Sequence, residues 1–178
     1  MVATLSSFPT TVAGTGLYTI VSSTTASSAS TLINLSGAAT LTNSGALTET
    51  SAILGITFGA GGRFTNTSTG RLVNSNAGTS GVAIAGTGNF YVANYGTIKD
   101  AGTGTSVELF GTGTLTVNNK AGGYIYQNIY THDAGTEVIV NAGIIKGNSS
   151  YAVILPKGNL FLTNAAGGTI SSPNAQGA

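Results

Sequence analysis

Few side chains in this 178-residue chain could carry acid–base or metal chemistry. They are one histidine, His132, and five carboxylates, Glu49, Asp100, Glu108, Asp133 and Glu137. Catalysis of this kind needs titratable groups that converge on one point. His132 and Asp133 are adjacent, but neighbouring residues in an extended strand point to opposite faces. We therefore expect a polar loop tip there, and neither a metal site nor an acid–base pair.

Glu108 is the second candidate for chemistry. It lies between Val107 and Leu109, and the alternation of a strand points it outward, near the region of Asp133 one repeat later. Two carboxylates at a defined separation can hydrolyse a glycosidic bond. The structural alternative is an isolated, solvated carboxylate, and we expect that one. A polysaccharide-acting enzyme is thus a remote alternative, and no catalytic, cofactor-binding or metal-binding residue is predicted.

Tyrosines form a candidate contact patch. Ile125 is expected to point into the core, which places Tyr124 and Tyr126 outward. Exposed tyrosines can stack on sugar rings or pack against another subunit, and the alternative is that they cover backbone between repeats. Surface glycans are therefore a candidate partner of a patch that comprises Tyr91, Tyr95, Tyr124, Tyr126 and Tyr130.

The composition excludes several classes of partner. Only 6% of residues are charged, the net charge is +1, and the six basic residues are scattered, which argues against nucleic acid. There is no cysteine, no evident signal peptide within residues 1–16, and no apolar run long enough to span a membrane. Hydrophobic residues reach 41% and alternate with polar ones, so the chain is predicted to fold into strands and not to be disordered.

The elements that must position these side chains are repeats. The tripeptide Gly-Thr-Gly occurs at residues 14–16, 86–88 and 111–113, each time ahead of an alternating apolar run. Degenerate copies extend the series, and successive markers lie 22 to 26 residues apart. Such a period is typical of a solenoid. It predicts six complete coils over residues 17–38, 39–62, 63–88, 89–113, 114–135 and 136–158.

Each coil is predicted to contain three short strands. The first ends at an asparagine, a Gly-x-Ile or Gly-x-Leu strand follows, and a Val-x-Leu type strand precedes the glycine turn, although coil 114–135 lacks this third strand. Asparagine and glycine tolerate the left-handed backbone of a corner, and stacked asparagines can hydrogen-bond as a ladder. We therefore predict an all-β, single-domain, right-handed parallel β-helix, or β-solenoid.

The pattern of strand, asparagine and Gly-x-Ile resembles the passenger repeats of bacterial autotransporters and related β-helical adhesins. The resemblance covers roughly residues 17–171, and the run Leu162-Thr163-Asn164-Ala165-Ala166-Gly167-Gly168-Thr169-Ile170 carries it well. It implies an extracellular or bacterial cell-surface location and a non-enzymatic role.

The ends of the chain suggest how such a rod is used. Residues 1–16 are predicted to form an N-terminal strand and partial coil, in which residues 11–16 resemble a third strand with its turn. Residues 159–178 supply a first and a second strand with a tail, and neither end is expected to carry a cap. We therefore predict a head-to-tail homopolymer joined through Val12, Gly14, Gly16, Leu160, Leu162 and Ile170; a glycan-binding adhesin or passenger fragment is the alternative.

Overall fold

A computed structural model describes residues 2–50, 54–76, 81–147 and 151–173. Their regular structure consists of 22 strands, without a helix. In chain order the strands are β1 (Val2–Thr4), β2 (Thr10–Val12), β3 (Leu17–Ile20), β4 (Thr25–Ser28), β5 (Ile33–Leu35), β6 (Ala39–Asn43), β7 (Ala46–Glu49), β8 (Leu54–Phe58), β9 (Gly62–Asn66), β10 (Arg71–Asn74), β11 (Val82–Thr87), β12 (Phe90–Asn94), β13 (Thr97–Asp100), β14 (Thr105–Phe110), β15 (Thr114–Asn119), β16 (Tyr124–Tyr126), β17 (Asn128–Thr131), β18 (Gly135–Asn141), β19 (Ile144–Lys146), β20 (Val153–Ile154), β21 (Gly158–Asn164) and β22 (Thr169–Ser171).

The strands form three parallel sheets that wind as a β-solenoid, which confirms the predicted fold class. The first sheet has the order β1-β3-β6-β9-β12-β15-β18-β21, the second β4-β7-β10-β13-β16-β19-β22, and the third β2-β5-β8-β11-β14-β17-β20. Six complete coils contribute one strand to each sheet, as the glycine markers predicted. The strand boundaries differ by one residue at Gly62, Gly135 and Gly158, which begin first-sheet strands instead of ending a coil.

Two strands contradict the expectations from sequence. Coil 114–135 has its third strand, β17, in which Ile129 and Thr131 are buried where other coils carry Val-x-Leu. The N-terminal segment contains β1 in addition to the third-sheet strand β2, and β1 pairs in parallel with β3. Residues 1–16 thus contain a first-sheet strand in addition to the third strand that the sequence predicts for residues 11–16.

Alternation along each strand builds the core. In the second sheet the central inward positions align Leu47, Leu72, Ile98, Ile125 and Ile145, and all are fully buried. Parallel strands stack about 4.8 Å apart, so like side chains lie directly on one another in continuous apolar rows. The rod therefore contains a single hydrophobic core. The winding covers this core along the sides of the rod but not at its two ends.

A row of asparagine side chains closes the corner between the first and second sheets. Each amide donates to the next along the rod, at N–O distances of 2.8 to 2.9 Å, from Asn43 through Asn66, Asn94, Asn119 and Asn141 to Asn164. All but Asn164 are fully buried. The row satisfies buried polar groups in both directions, so it fixes the register of successive coils.

Candidate functional site

The structure brings together two of the titratable side chains, Glu108 and His132, on the outer face of the third sheet. Glu108 lies in β14 and is aligned with Tyr130 in β17 of the next coil. His132 follows β17 directly, and its Nε2 contacts the Glu108 carboxylate. A register shift between Thr105 and Val107 accompanies this pairing of β14 with β17. The pair is therefore set by the strand register of two successive coils and not by closeness in sequence.

Aromatic rings surround the pair. The His132 ring stacks on Phe110 with ring centroids 4.9 Å apart, and it lies 4.4 Å from the Tyr130 ring. The Glu108 side chain is 6% exposed, whereas that of His132 is 40% exposed. Burial raises the pKa of the Glu108 carboxyl above its usual range, while the hydrogen bond from His132 opposes that rise. Glu108 Oε2 has no hydrogen-bond partner in the described part of the chain, so His132 is the group that holds this carboxylate there.

This arrangement corrects two expectations. Glu108 does point outward, but it is buried under the imidazole and is not the isolated, solvated carboxylate that alternation alone suggested. His132 is part of a packed aromatic cluster and not a free loop tip, whereas Asp133 is exposed. A glycosidic mechanism needs a second carboxylate across the bond from the first, and Glu108 has a histidine beside it instead.

Three further acids are buried inside the solenoid, a feature that the sequence reasoning missed. Glu49, Asp100 and Glu137 are fully buried. Burial raises the pKa of Asp100 to about 6 and that of Glu137 to about 7. Thr131 Oγ1 donates to Glu137 Oε1 at 2.6 Å, the one polar contact of that carboxyl among the described residues.

The alternation of side chains along a strand could have identified these acids as buried. Glu137 lies two residues before the inward Ile139, and Asp100 lies two residues after the inward Ile98, so each shares its neighbour's face. Within the described part of the chain, no group of three His, Asp or Glu side chains is placed to hold a metal ion.

The five tyrosines do not form one patch. Tyr124 and Tyr126 face outward on the second sheet as expected, with ring centroids 6.1 Å apart, and Lys99 Nζ lies 5.0 Å from the Tyr126 ring. Tyr91 is on the first sheet under Arg63, and Tyr130 is on the third sheet beside His132. Tyr95 follows β12 at a corner and is exposed. The predicted patch is thus divided among three faces of the rod.

The C-terminal end of the rod is an apolar surface without cover in the described residues. Leu160 and Leu162 occupy the inward rows of β21, in register with Glu137 and Ile139, yet they are 42% and 37% exposed. Phe161 between them points outward and is 61% exposed. Ile170 of β22 continues the buried row of Ile145 and is partly buried. The tail residues 174–178 lie outside the described residues.

The N-terminal end carries a small cover, which the sequence was not expected to provide. β1 lies along the edge of β3, and the amide of Leu5 donates to the carbonyl of Thr19 at 2.8 Å. Leu5 and Phe8 pack against the core beside Val12. Gly14 has a φ of +88° in the turn after β2, and a side chain at Gly16 would collide with the Tyr18 ring.

Comparison with known proteins gives no relative from which a function could be transferred: no family model, no curated protein and no solved structure matches this chain. Among the residues that the structure describes, there is also no helix with the length and apolar character needed to cross a membrane.

Proposed function

We propose that this chain is a non-enzymatic structural protein, located outside the cell or on a bacterial surface, whose copies associate end to end into a filament. The observation that carries the proposal is the C-terminal end of the rod. There, the inward leucines of β21 are more than a third exposed, whereas the equivalent side chains of internal coils, such as Leu115 and Ile139, are fully buried. Apolar area of this kind is stabilised when another strand covers it.

A second copy of the chain is the occupant that best fits this surface. Within the described residues, the last strands are β21 in the first sheet and β22 in the second, so the next position in the winding belongs to the third sheet. The N-terminal part of the chain carries β2, a third-sheet strand that pairs with β5 on one edge and, among the described residues, with no strand on the other. A contact between opposite ends of identical rods does not close on itself and therefore extends into a filament.

The side chains that could do chemistry favour a structural role. Glu108 is held by His132 within a packed cluster, and the other buried acids lie in the core, where a substrate has no access. The aromatic residues that would support a glycan-binding role are spread over three faces of the rod.

A charge at the end of the rod tests the proposal. We expect the unmodified chain to sediment as a concentration-dependent series of oligomers. In the variant Leu162→Lys, an ammonium group would be buried without a partner at each joint, which costs several kcal/mol. Each 1.4 kcal/mol is a factor of ten in affinity, so the concentration at which oligomers form should rise by about tenfold or more.

Val140→Lys is the matched control, because Val140 is a partly exposed apolar residue on the flank of the same sheet, one coil from the end. It should leave sedimentation unchanged. A chain that sediments as a monomer at every concentration would contradict the proposal, as would equal effects of the two lysines. If the natural reading frame continues past residue 178 with further coils, those coils are the occupant of the end instead of a second copy.

A further inference from the structure

The three sheets of the described structure contain unequal numbers of strands. The first sheet has eight, and the second and third have seven each. A solenoid that continues from one copy to the next needs the same number of rungs in every sheet, since each turn of the winding adds one strand to each. One first-sheet strand is therefore in excess, and its position in the winding identifies it as β1.

β1 and β2 occupy the same rung of the rod. β1 pairs with β3 and β2 pairs with β5, and β3 and β5 belong to one coil. When β2 of a second copy pairs with β20 of the first, β1 of the second copy would lie in the same rung of the first sheet as β21 of the first copy. β1 and β21 therefore compete for one position, the edge of β3 that faces away from β6.

We propose that residues 2–9 form a displaceable cap, and that β21 of a second copy replaces β1 on β3 when rods join. This inference rests on the proposed end-to-end association and adds the step by which the joint forms. With the cap removed, each sheet contributes seven strands, and the joint pairs β21 with β3, β22 with β4 and β20 with β2 in a single continuous winding.

The side chains at the joint fit when the internal register is continued. Asn164 is the last asparagine of the row, and at the other end of the rod Ile20 occupies the same row, next to Asn43. The two residues would therefore pair at the joint. Counting back from this pair places Leu162 under the Tyr18 ring and Leu160 under Gly16. The Tyr18 ring leans over Gly16. The large side chain of Leu160 would therefore meet the small Gly16, with the Tyr18 ring beside it. Outside the core, the exposed Phe161 and Leu17 become neighbours.

The cap is a weaker partner for β3 than β21 is. β1 has three residues, all exposed, and the residue that it aligns with Tyr18 is Ala3. β21 has seven residues and presents two leucines to the core. In the continued register, residues 161–164 of β21 align with all four residues of β3, whereas β1 aligns with three of them. Because β21 also buries more apolar area, its replacement of β1 is favourable once a second copy is present.

One position of the joint is less complementary than the internal rungs. Asn164 would face Ile20, so at the joint its amide nitrogen would lack the asparagine acceptor that each internal amide of the row has. The amide keeps its bond to the carbonyl of Gly168, at 2.9 Å. The rod is therefore expected to break at its joints before its internal rungs separate.

A disulfide that locks the cap tests this mechanism in the full chain. Val2 and Leu17 are aligned neighbours on β1 and β3, and in-register neighbours on adjacent strands are within the span of a disulfide. Because the natural sequence has no cysteine, the two introduced in the double variant Val2→Cys with Leu17→Cys are the only ones in the chain. Oxidised, it should stay monomeric in sedimentation; after reduction with a phosphine, it should form oligomers as the single variant Leu17→Cys does.

The outcomes separate the two proposals. If the oxidised protein, with its intramolecular disulfide verified by mass, assembles as well as the reduced protein, the cap does not need to move, and this inference is wrong while end-to-end association stands. If neither the reduced protein nor the unmodified chain assembles, the proposed function is wrong and the cap mechanism with it. Assembly only after reduction supports both.

Discussion

Most of the acidic side chains are buried, although carboxylates are usually solvated at a protein surface. Four of the five are buried, Glu49, Asp100 and Glu137 inside the core and Glu108 beneath His132. Glu137 stands between Leu115 and Leu160 in an inward row of the first sheet, where a leucine would fit the pattern. Burial raises the pKa of its carboxyl to about 7, because the charged form loses its hydration there.

Protonation of Glu137 is therefore linked to stability. The folded state keeps this proton up to about pH 7, whereas the unfolded chain releases it near the ordinary value of 4.5. Between these values the folded state binds more protons, so the contribution of Glu137 to the free energy of unfolding is full below pH 4.5 and falls as the pH rises to 7. Asp100, with a pKa raised to about 6, acts in the same direction.

The variant Glu137→Gln removes this titration and keeps an acceptor for Thr131. We expect it to unfold with a free energy about 1–3 kcal/mol above that of the unmodified chain at pH 8, and with little difference at pH 4, as measured by urea denaturation across this range. Asp133→Asn, at the exposed acid, is the control and should leave the curve unchanged. A variant that is less stable than the unmodified chain at pH 8 would contradict this account of Glu137.

At the scale of elements, the recurrent Gly-Thr-Gly turns combine two different demands. Gly88 has a φ of +65°, and a side chain there would make only ordinary van der Waals contacts, at 3.8 Å or more, so its requirement is conformational only. Gly113 has a φ of +146°, and a side chain there would also collide with the carbonyl of Gly88 in the coil beneath. The second glycine of the motif thus has different roles in successive coils. Gly88 is required for the backbone conformation of a turn, whereas Gly113 also allows two coils to approach closely.

Alanine substitutions separate these demands. Gly88→Ala should cost about 1–2 kcal/mol of unfolding free energy, the usual cost of a left-handed backbone for a residue with a side chain. Gly113→Ala should cost more than about 3 kcal/mol, because its φ is reserved for glycine and the coils must also separate. Denaturant titrations of the two variants make the comparison. Equal losses would show that the carbonyl of Gly88 does not constrain the turn.

The elements also show what sequence can predict. Period-two alternation with asparagine and glycine corners was enough for six coils and for the inward face of most strands. β1 was missed because no glycine marker accompanies it, and β17 because Thr131 stands in place of a leucine. The contact of Glu108 with His132 joins residues 24 apart, in two strands whose pairing includes a register shift that no local pattern encodes.

At the scale of the whole molecule, the rod has two unlike ends. The N-terminal end is covered by β1 with Leu5 and Phe8, whereas the C-terminal end exposes the inward leucines of β21. Copies that carry such a cap would stay separate until one end displaces the cap of another. Filament growth would then be directional, since β21 always enters and β1 always leaves.

Electron cryo-microscopy of filaments grown from the full chain tests the central claim most directly. Seven rungs per copy, at the strand spacing of about 4.8 Å, predict an axial rise of about 34 Å per subunit within an unbroken cross-β rod. A chain that yields only separate short rods at every concentration, or filaments in which the rods meet side by side, would contradict the account.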